Sequence, residues 1–213
     1  MKIALVMEWS TSARNAEVIA VLEKVAAANG HTVVNYGQYN LEDNRQTYNQ
    51  NAIFTSCLLN SGAADFVITG CGTGSGAMLA CNSMPGVQCG LCSNPSESYL
   101  FTQINGGNCM SIPYALNWGW AAEVNLEYIF EKLFVQEPGG GYPPSAAASE
   151  QRNAKLLTKL KAVANKDIKD ILASEDPDIK EMIQMAFAGK RMELFKENCQ
   201  DAEILAAVEK AIA

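Results

Sequence analysis

Apolar and polar residues follow one another along this chain in two rhythms. Five short runs, at residues 2–7, 31–36, 66–69, 86–92 and 109–112, are rich in Val, Ile, Leu, Met and Cys and predict strands. Between them apolar residues recur at helical spacing. Val18, Ile19, Val21, Leu22 and Val25 mark a helix over 13–29 that Gly30 stops. Further helices are predicted over 47–60, 77–82, 96–103 and 118–134. Strands alternating with helices imply an α/β fold: a five-stranded parallel, Rossmann-like three-layer sandwich. Ligands of such sheets sit outside the carboxyl ends of the strands, and three polar loops fall there, after Met7, Thr69 and Cys92.

The rhythm changes at Glu137-Pro138-Gly139-Gly140-Gly141-Tyr142-Pro143-Pro144. The expected organisation is therefore an α/β domain over 1–136, a Gly/Pro linker over 137–146 and a helical C-terminal extension over 147–213. In the extension the pattern predicts helices at 147–164, after the cap Asp176 with Pro177 in its first turn, and at 201–212. The extension serves either as a packing arm for a second subunit, the reading favoured here, or as a cover over the sheet.

Composition narrows the function. A net charge of −7 on 213 residues argues against a nucleic-acid or anionic-membrane surface. No apolar run is long enough to span a membrane, and the first run meets Glu8 too early for an export signal. The seven cysteines are an odd number scattered through apolar contexts, which suggests reduced thiols in the cytoplasm. Cys89-x-x-Cys92 lies in a strand-like run without a second such pair, so it is read as structural. The single histidine, His31, is read as surface or structural.

The candidate chemistry sits where the third strand ends, at Gly70-Cys71-Gly72-Thr73-Gly74-Ser75-Gly76. Glycine at every second residue, just ahead of a helix, lets a ligand approach free amides at a helix start. Three readings compete. Gly72-x-Gly74-x-x-Ala77 loosely fits a dinucleotide fingerprint, but it follows the third strand rather than the first, and no acidic residue ends the next strand. A tight turn around a buried cysteine needs fewer glycines. An anion hole with a working thiol accounts for both features, since a helix start favours a thiolate as base or nucleophile.

Cys71-Gly72-Thr73-Gly74-Ser75-Gly76 with Ala80-Cys81-Asn82, Cys92-Ser93-Asn94-Pro95, and Gln103-x-Asn105-x-x-Asn108 together resemble motifs of the ribose-5-phosphate isomerase B / galactose-6-phosphate isomerase family. The resemblance covers roughly residues 1–135. It implies interconversion of aldoses and ketoses through a cis-enediolate, with no metal and no cofactor. Cys71 would be the base, and the amides of Gly72, Gly74, Ser75 and the loop through Gly76 would form the oxyanion site. Thr73 would assist proton transfer between oxygens, while Asn105 and Tyr48 would contact substrate. The implied partner is a small sugar or sugar phosphate, and the implied assembly a homodimer or dimer of dimers with the site near the subunit interface.

The departures carry information too. The family's Asp-His after the first strand is Glu8-Trp9, which suggests a carboxylate for sugar hydroxyls beside an aromatic plate. Its ring-opening histidine is Ile104, which can neither donate nor accept a proton. Of its phosphate-binding arginines, Arg152 matches one and Ala148 replaces another, with Lys155 a helical neighbour of Arg152. The third, after the fifth strand, is lost in Ile112-Pro113-Tyr114-Ala115. An open-chain or unusual sugar fits these changes better than ribose 5-phosphate. A non-catalytic sugar-binding protein on the same fold is the alternative, distinguished by whether a bound sugar exchanges a carbon-bound proton with solvent.

Overall fold

The computed structural model describes residues 1–116 and 118–213. Five strands form one all-parallel sheet: β1 (Lys2–Leu5), β2 (Thr32–Asn35), β3 (Phe66–Cys71), β4 (Cys89–Leu91) and β5 (Cys109–Pro113), in the order β2-β1-β3-β5-β4. The order reverses direction between β1 and β3, so the ends of these two strands flank the crevice where such sheets bind ligands. β3 lies at the centre and is buried along its whole length, which explains its continuous apolar pattern.

Helices cover both faces. On one face α1 (Asn15–Ala28) and α5 (Ala122–Phe134) pack on Ile3, Leu5, Phe66, Ile68 and Met110. On the other, α2 (Tyr48–Asn60) and α3 (Ser75–Asn82) pack on Ala4, Val6, Val67 and Cys109. The alternation of inward residues along each strand divides the core this way. A 3-10 turn, Trp9–Arg14, joins β1 to α1. His31 is structural: its Nδ1 lies 3.1 Å from the chain's terminal amine, and its ring meets Phe134 edge-on.

Two boundaries differ from the pattern-based expectation. The helix expected over 96–103 is α4 (Pro95–Leu100) followed by a π-helical turn, Phe101–Asn105. That turn lays the Phe101 ring against Gly90 and Gly107, where any Cβ would collide with it. The helix expected from 118 begins at Ala122, because Ala121 adopts a left-handed conformation and Trp118 packs back onto the core.

In the C-terminal part, α6 (Ala147–Ala164) has no buried residue. The next four helices are α7 (Ile168–Leu172), α8 (Pro177–Ala186), α9 (Arg191–Asn198) and α10 (Ala202–Ile212). They bury Ile168, Leu172, Ile183, Phe187, Phe195, Ile204 and Val208 in the same core as α2. From residue 168 onward the tail packs against α2, while α6 stands outside the core. Among the described residues no helix is long and apolar enough to cross a membrane.

Candidate active site

The carboxyl end of β3 is pinned before the glycine loop begins. Tyr114 donates its amide to the Cys71 carbonyl at 3.0 Å, and Ala115 donates to the Gly72 carbonyl at 2.9 Å. The Ser111 hydroxyl donates to the Gly74 carbonyl at 2.7 Å. Two glycines are sterically required. A Cβ on Gly70 would lie 2.2 Å from the Ile112 carbonyl oxygen, and one on Gly74 2.4 Å from Leu91 Cδ1. Gly74 also has a φ of 72°, left-handed backbone that glycine adopts without strain.

Gly74 is the N-cap of α3, and no side chain caps this helix. The first helical amide bond runs from Met78 to the Gly74 carbonyl, so the N–H groups of Ser75, Gly76 and Ala77 are left for a ligand. Cys71, nearly buried, immediately precedes this opening, and Thr73 is exposed beside it. The free amides and the partial positive charge of the helix start suit an oxygen that becomes negative during reaction.

Residues from two other segments reach this edge. Tyr48 opens α2 with its ring over Gly76, where a Cβ would sit 3.3 Å from the ring. Glu8 follows β1 and is buried; its carboxylate accepts a hydrogen bond from the Ser10 hydroxyl, and its carbonyl accepts one from Thr11 at 3.0 Å. Trp9 donates its indole N–H to the Leu41 carbonyl at 3.1 Å, and the Arg45 guanidinium lies over its ring at 4.5 Å. Trp9 thus secures the loop ahead of α2 as well as offering an aromatic surface.

Asn105 and Arg152 are not brought to this edge within one chain. Cys71 pairs in register with Pro113, the last residue of β5, whereas Asn105 precedes Cys109, the first. Those two ends of β5 are about 13 Å apart at the usual rise per residue. Arg152 lies on the exposed α6, and the adjoining Gln151 bonds the Gly139 carbonyl, whose own amide bonds Thr102 of the π-helical turn. Asn105 and Arg152 therefore share the amino-terminal edge of the sheet, opposite the glycine loop.

Sequence reasoning missed two arginines. Arg14 ends the 3-10 turn; its guanidinium donates to the Tyr114 carbonyl and stacks 4.8 Å over Trp118. Arg191, fully buried at the start of α9, donates to the Tyr36 carbonyl at 3.0 Å and to Asn51 Oδ1 at 2.9 Å. It also reaches the Met7 carbonyl at 3.4 Å, tying the C-terminal helices to the strand end that presents Glu8. Burial pulls the Arg191 guanidinium down to about 9. Neither residue stands in a motif, and their carbonyl partners lie far away in the chain.

Among the described residues, the group that could hold a metal ion is Cys81, Cys89 and Cys109, buried thiols whose sulfurs lie within 4.8 Å of one another. Hydrogen bonds from Cys109 and Cys89 hold the Cys81 thiol well below its usual range, and burial pushes Cys109 up. Cys89 and Cys109 begin their strands, so this trio lies away from the glycine loop. Cys92 belongs to the core on the other face of the sheet, so Cys89 and Cys92 do not act as a pair.

A parallel sheet that ends in an uncapped helix start beside a thiol is the architecture of a small-molecule α/β enzyme. The family profile described as ribose/galactose isomerase matches residues 3–134, and the chain belongs to that family. It is similar to a crystal structure of 4-deoxy-L-threo-5-hexosulose-uronate ketol-isomerase complexed with a tartrate. The identity is 46%, with 100% of this chain and 99% of that chain covered and a TM-score of 0.95. It is equally similar to a ribose-5-phosphate isomerase from Vibrio parahaemolyticus, with 45% identity, 99% of each chain covered and a TM-score of 0.94. Type B ribose 5-phosphate isomerase from Leishmania infantum shares the fold at 20% identity, covering 76% of this chain and 97% of that chain with a TM-score of 0.61. Comparison with curated proteins gave no match. The coarse assignment is a sugar isomerase.

Proposed function

We propose that this protein is an aldose–ketose isomerase that works through a cis-enediolate with Cys71 as base, independent of a metal, on an open-chain sugar acid. The observation that carries the reading is the position of Cys71, one residue ahead of a glycine loop whose helix start has three free amides. The Cys71 thiolate takes the proton from C2 of the aldose, and the carbonyl electrons move onto O1. The amides of the loop stabilise the resulting enediolate oxygens. The Thr73 hydroxyl passes a proton from O2 to O1, and the Cys71 thiol returns its proton to C1. The product carries a hydroxymethyl group at C1 and a carbonyl at C2; no net oxidation occurs, and the thiolate is regenerated. Glu8, Trp9 and Tyr48 line the substrate hydroxyls.

Substrate choice follows from Ile104. Without a proton-transferring side chain there, the protein is best suited to a sugar with no ring to open. The 4-deoxy-5-hexosulose uronate of the first relative has no hydroxyl on C4 or C5 through which an ordinary sugar ring could close. A compound of that class is the proposed substrate, with ribose 5-phosphate a poor one. The protein works as a homodimer in a reducing cytoplasm, a reading supported by its seven unpaired thiols. In the dimer, Asn105 and Arg152 of one subunit approach the glycine loop of the other.

The test is proton NMR in deuterium oxide, with the uronate, ribose 5-phosphate and neutral aldoses offered in turn. Loss of the C2 proton signal from the uronate, absent in Cys71→Ala, is the expected outcome. Rapid exchange with ribose 5-phosphate alone would overturn the substrate class. Absence of exchange from every compound, with sugar binding retained, would shift the assignment to a non-catalytic binding protein.

A further inference from the structure

The sugar acid proposed above needs a cationic partner for its carboxylate, and Arg152 lies at the wrong edge of its own chain to supply one. Arg14 lies at the right edge. Its guanidinium donates to the carbonyl of Tyr114, the residue whose amide holds the Cys71 carbonyl at 3.0 Å. The next residue, Ala115, holds the Gly72 carbonyl at 2.9 Å and keeps a side chain of only one carbon over the loop; a Cβ on Gly72 would lie 3.6 Å from it.

Three further observations show a group held ready for an anion. Trp118 supports the guanidinium plane from one side at 4.8 Å, which fixes its orientation and lowers the cost of ordering it on binding. Arg14 is half-buried, so an ion pair formed there is shielded more than a surface one. Among the described residues it has no carboxylate partner; the four ion pairs present all use lysines located elsewhere. Among the described residues its one hydrogen bond goes to the Tyr114 carbonyl.

We infer that Arg14 is the specificity residue that binds the substrate carboxylate while the ketol end lies over the glycine loop. A single planar fork matches a carboxylate in charge and in bidentate geometry. Two other guanidiniums of the chain reach this edge and are engaged elsewhere: Arg191 is buried on the carbonyls of Tyr36 and Met7, and Arg45 is stacked on Trp9 in the loop ahead of α2. The inference rests on the isomerase reading for its substrate but not for its site.

Two measurements test it on the full chain. The first compares kcat/KM for the uronate with that for a neutral aldose in wild type, Arg14→Gln and Arg14→Lys. Arg14→Gln is expected to lower kcat/KM for the acid about a hundredfold, chiefly through KM, and to bring the acid-to-neutral ratio close to one, with Arg14→Lys intermediate. Equal losses on acid and neutral substrates, or a fall in kcat at constant KM, would mean that Arg14 only secures the Tyr114 carbonyl, and the inference would fail. The second is calorimetric titration with tartrate, which needs no turnover. Binding to wild type that Arg14→Gln weakens at least tenfold supports the carboxylate site even if no isomerase activity is found. Equal tartrate affinity in both proteins, or none in wild type, overturns it. Thermal unfolding of each variant checks that the fold is retained.

Discussion

At the scale of single residues, the glycine loop shows how little room the site leaves for change. Gly70 faces the Ile112 carbonyl and the Tyr114 ring, with Cβ clashes of 2.2 and 2.6 Å against groups anchored in the sheet and the core. Gly70→Ala is expected to cost about 1–3 kcal/mol of stability, because backbone must move to relieve the overlap. Gly76 faces the Tyr48 ring at 3.3 Å, the end of a side chain on a residue that is 39% exposed. Gly76→Ala should therefore leave stability within about 0.5 kcal/mol and raise KM by displacing Tyr48. Urea unfolding alongside steady-state kinetics separates the two; a Gly70→Ala protein as stable as wild type would show that the pinned strand end is softer than its contacts indicate. The glycine loop between β3 and α3 was legible in the sequence because it is a local pattern. Arg14 was not, since its partner Tyr114 lies 100 residues away and its chemistry exists only once β1 and β5 have met β3.

At the scale of elements, the strands and most helices were legible for the same local reason. Apolar runs in a sheet covered on both faces are hard to mistake, and all five expected strands are present. The short helices α7 and α9 were missed: α7 has five residues and α9 eight, too short to establish a period. α9 nevertheless carries Arg191, which ties the tail to the ends of β1 and β2. Replacing Arg191 with Met would leave the Tyr36 and Ala186 carbonyls and Asn51 Oδ1 without their guanidinium partner inside a closed core. The carbonyls of Met7 and Gly37 keep other partners, the amides of Gln38 and Met7. Three buried acceptors left unpaired amount to about 3 kcal/mol or more. Arg191→Met should lower the urea midpoint accordingly and reduce kcat/KM as well, because the strand end that presents Glu8 loosens. Unchanged kinetics in a destabilised variant would confine the role of α9 to stability.

At the scale of the whole molecule, two apolar patches lie at opposite edges of the sheet. Beyond β5, Leu116 is 53% exposed and Trp120 fully exposed. On the other edge, α6 exposes Leu156, Leu157, Leu160 and Val163 from a helix without one buried residue. A two-fold pairing that sets one edge against the other would cover both. The same pairing would carry Asn105 and Arg152 of one copy toward the glycine loop of its partner. No single-chain pattern reveals this, because the motif that names Asn105 is silent on which subunit it serves. Mixed dimers can decide the matter. Cys71→Ala and Asn105→Ala chains, each nearly inactive alone, are unfolded together and refolded. If sites are shared across the interface, half of the dimers are mixed, and each mixed dimer combines both lesions in one site and leaves the other intact. Activity should then return to about a quarter of the wild-type value per chain. If each chain completes its own site, the mixture stays as inactive as its components, and Asn105 acts only within its own subunit or not at all. Adding Leu160→Glu to both chains should abolish the recovery and shift the species to monomers by light scattering; recovery that survives it would place the interface away from α6.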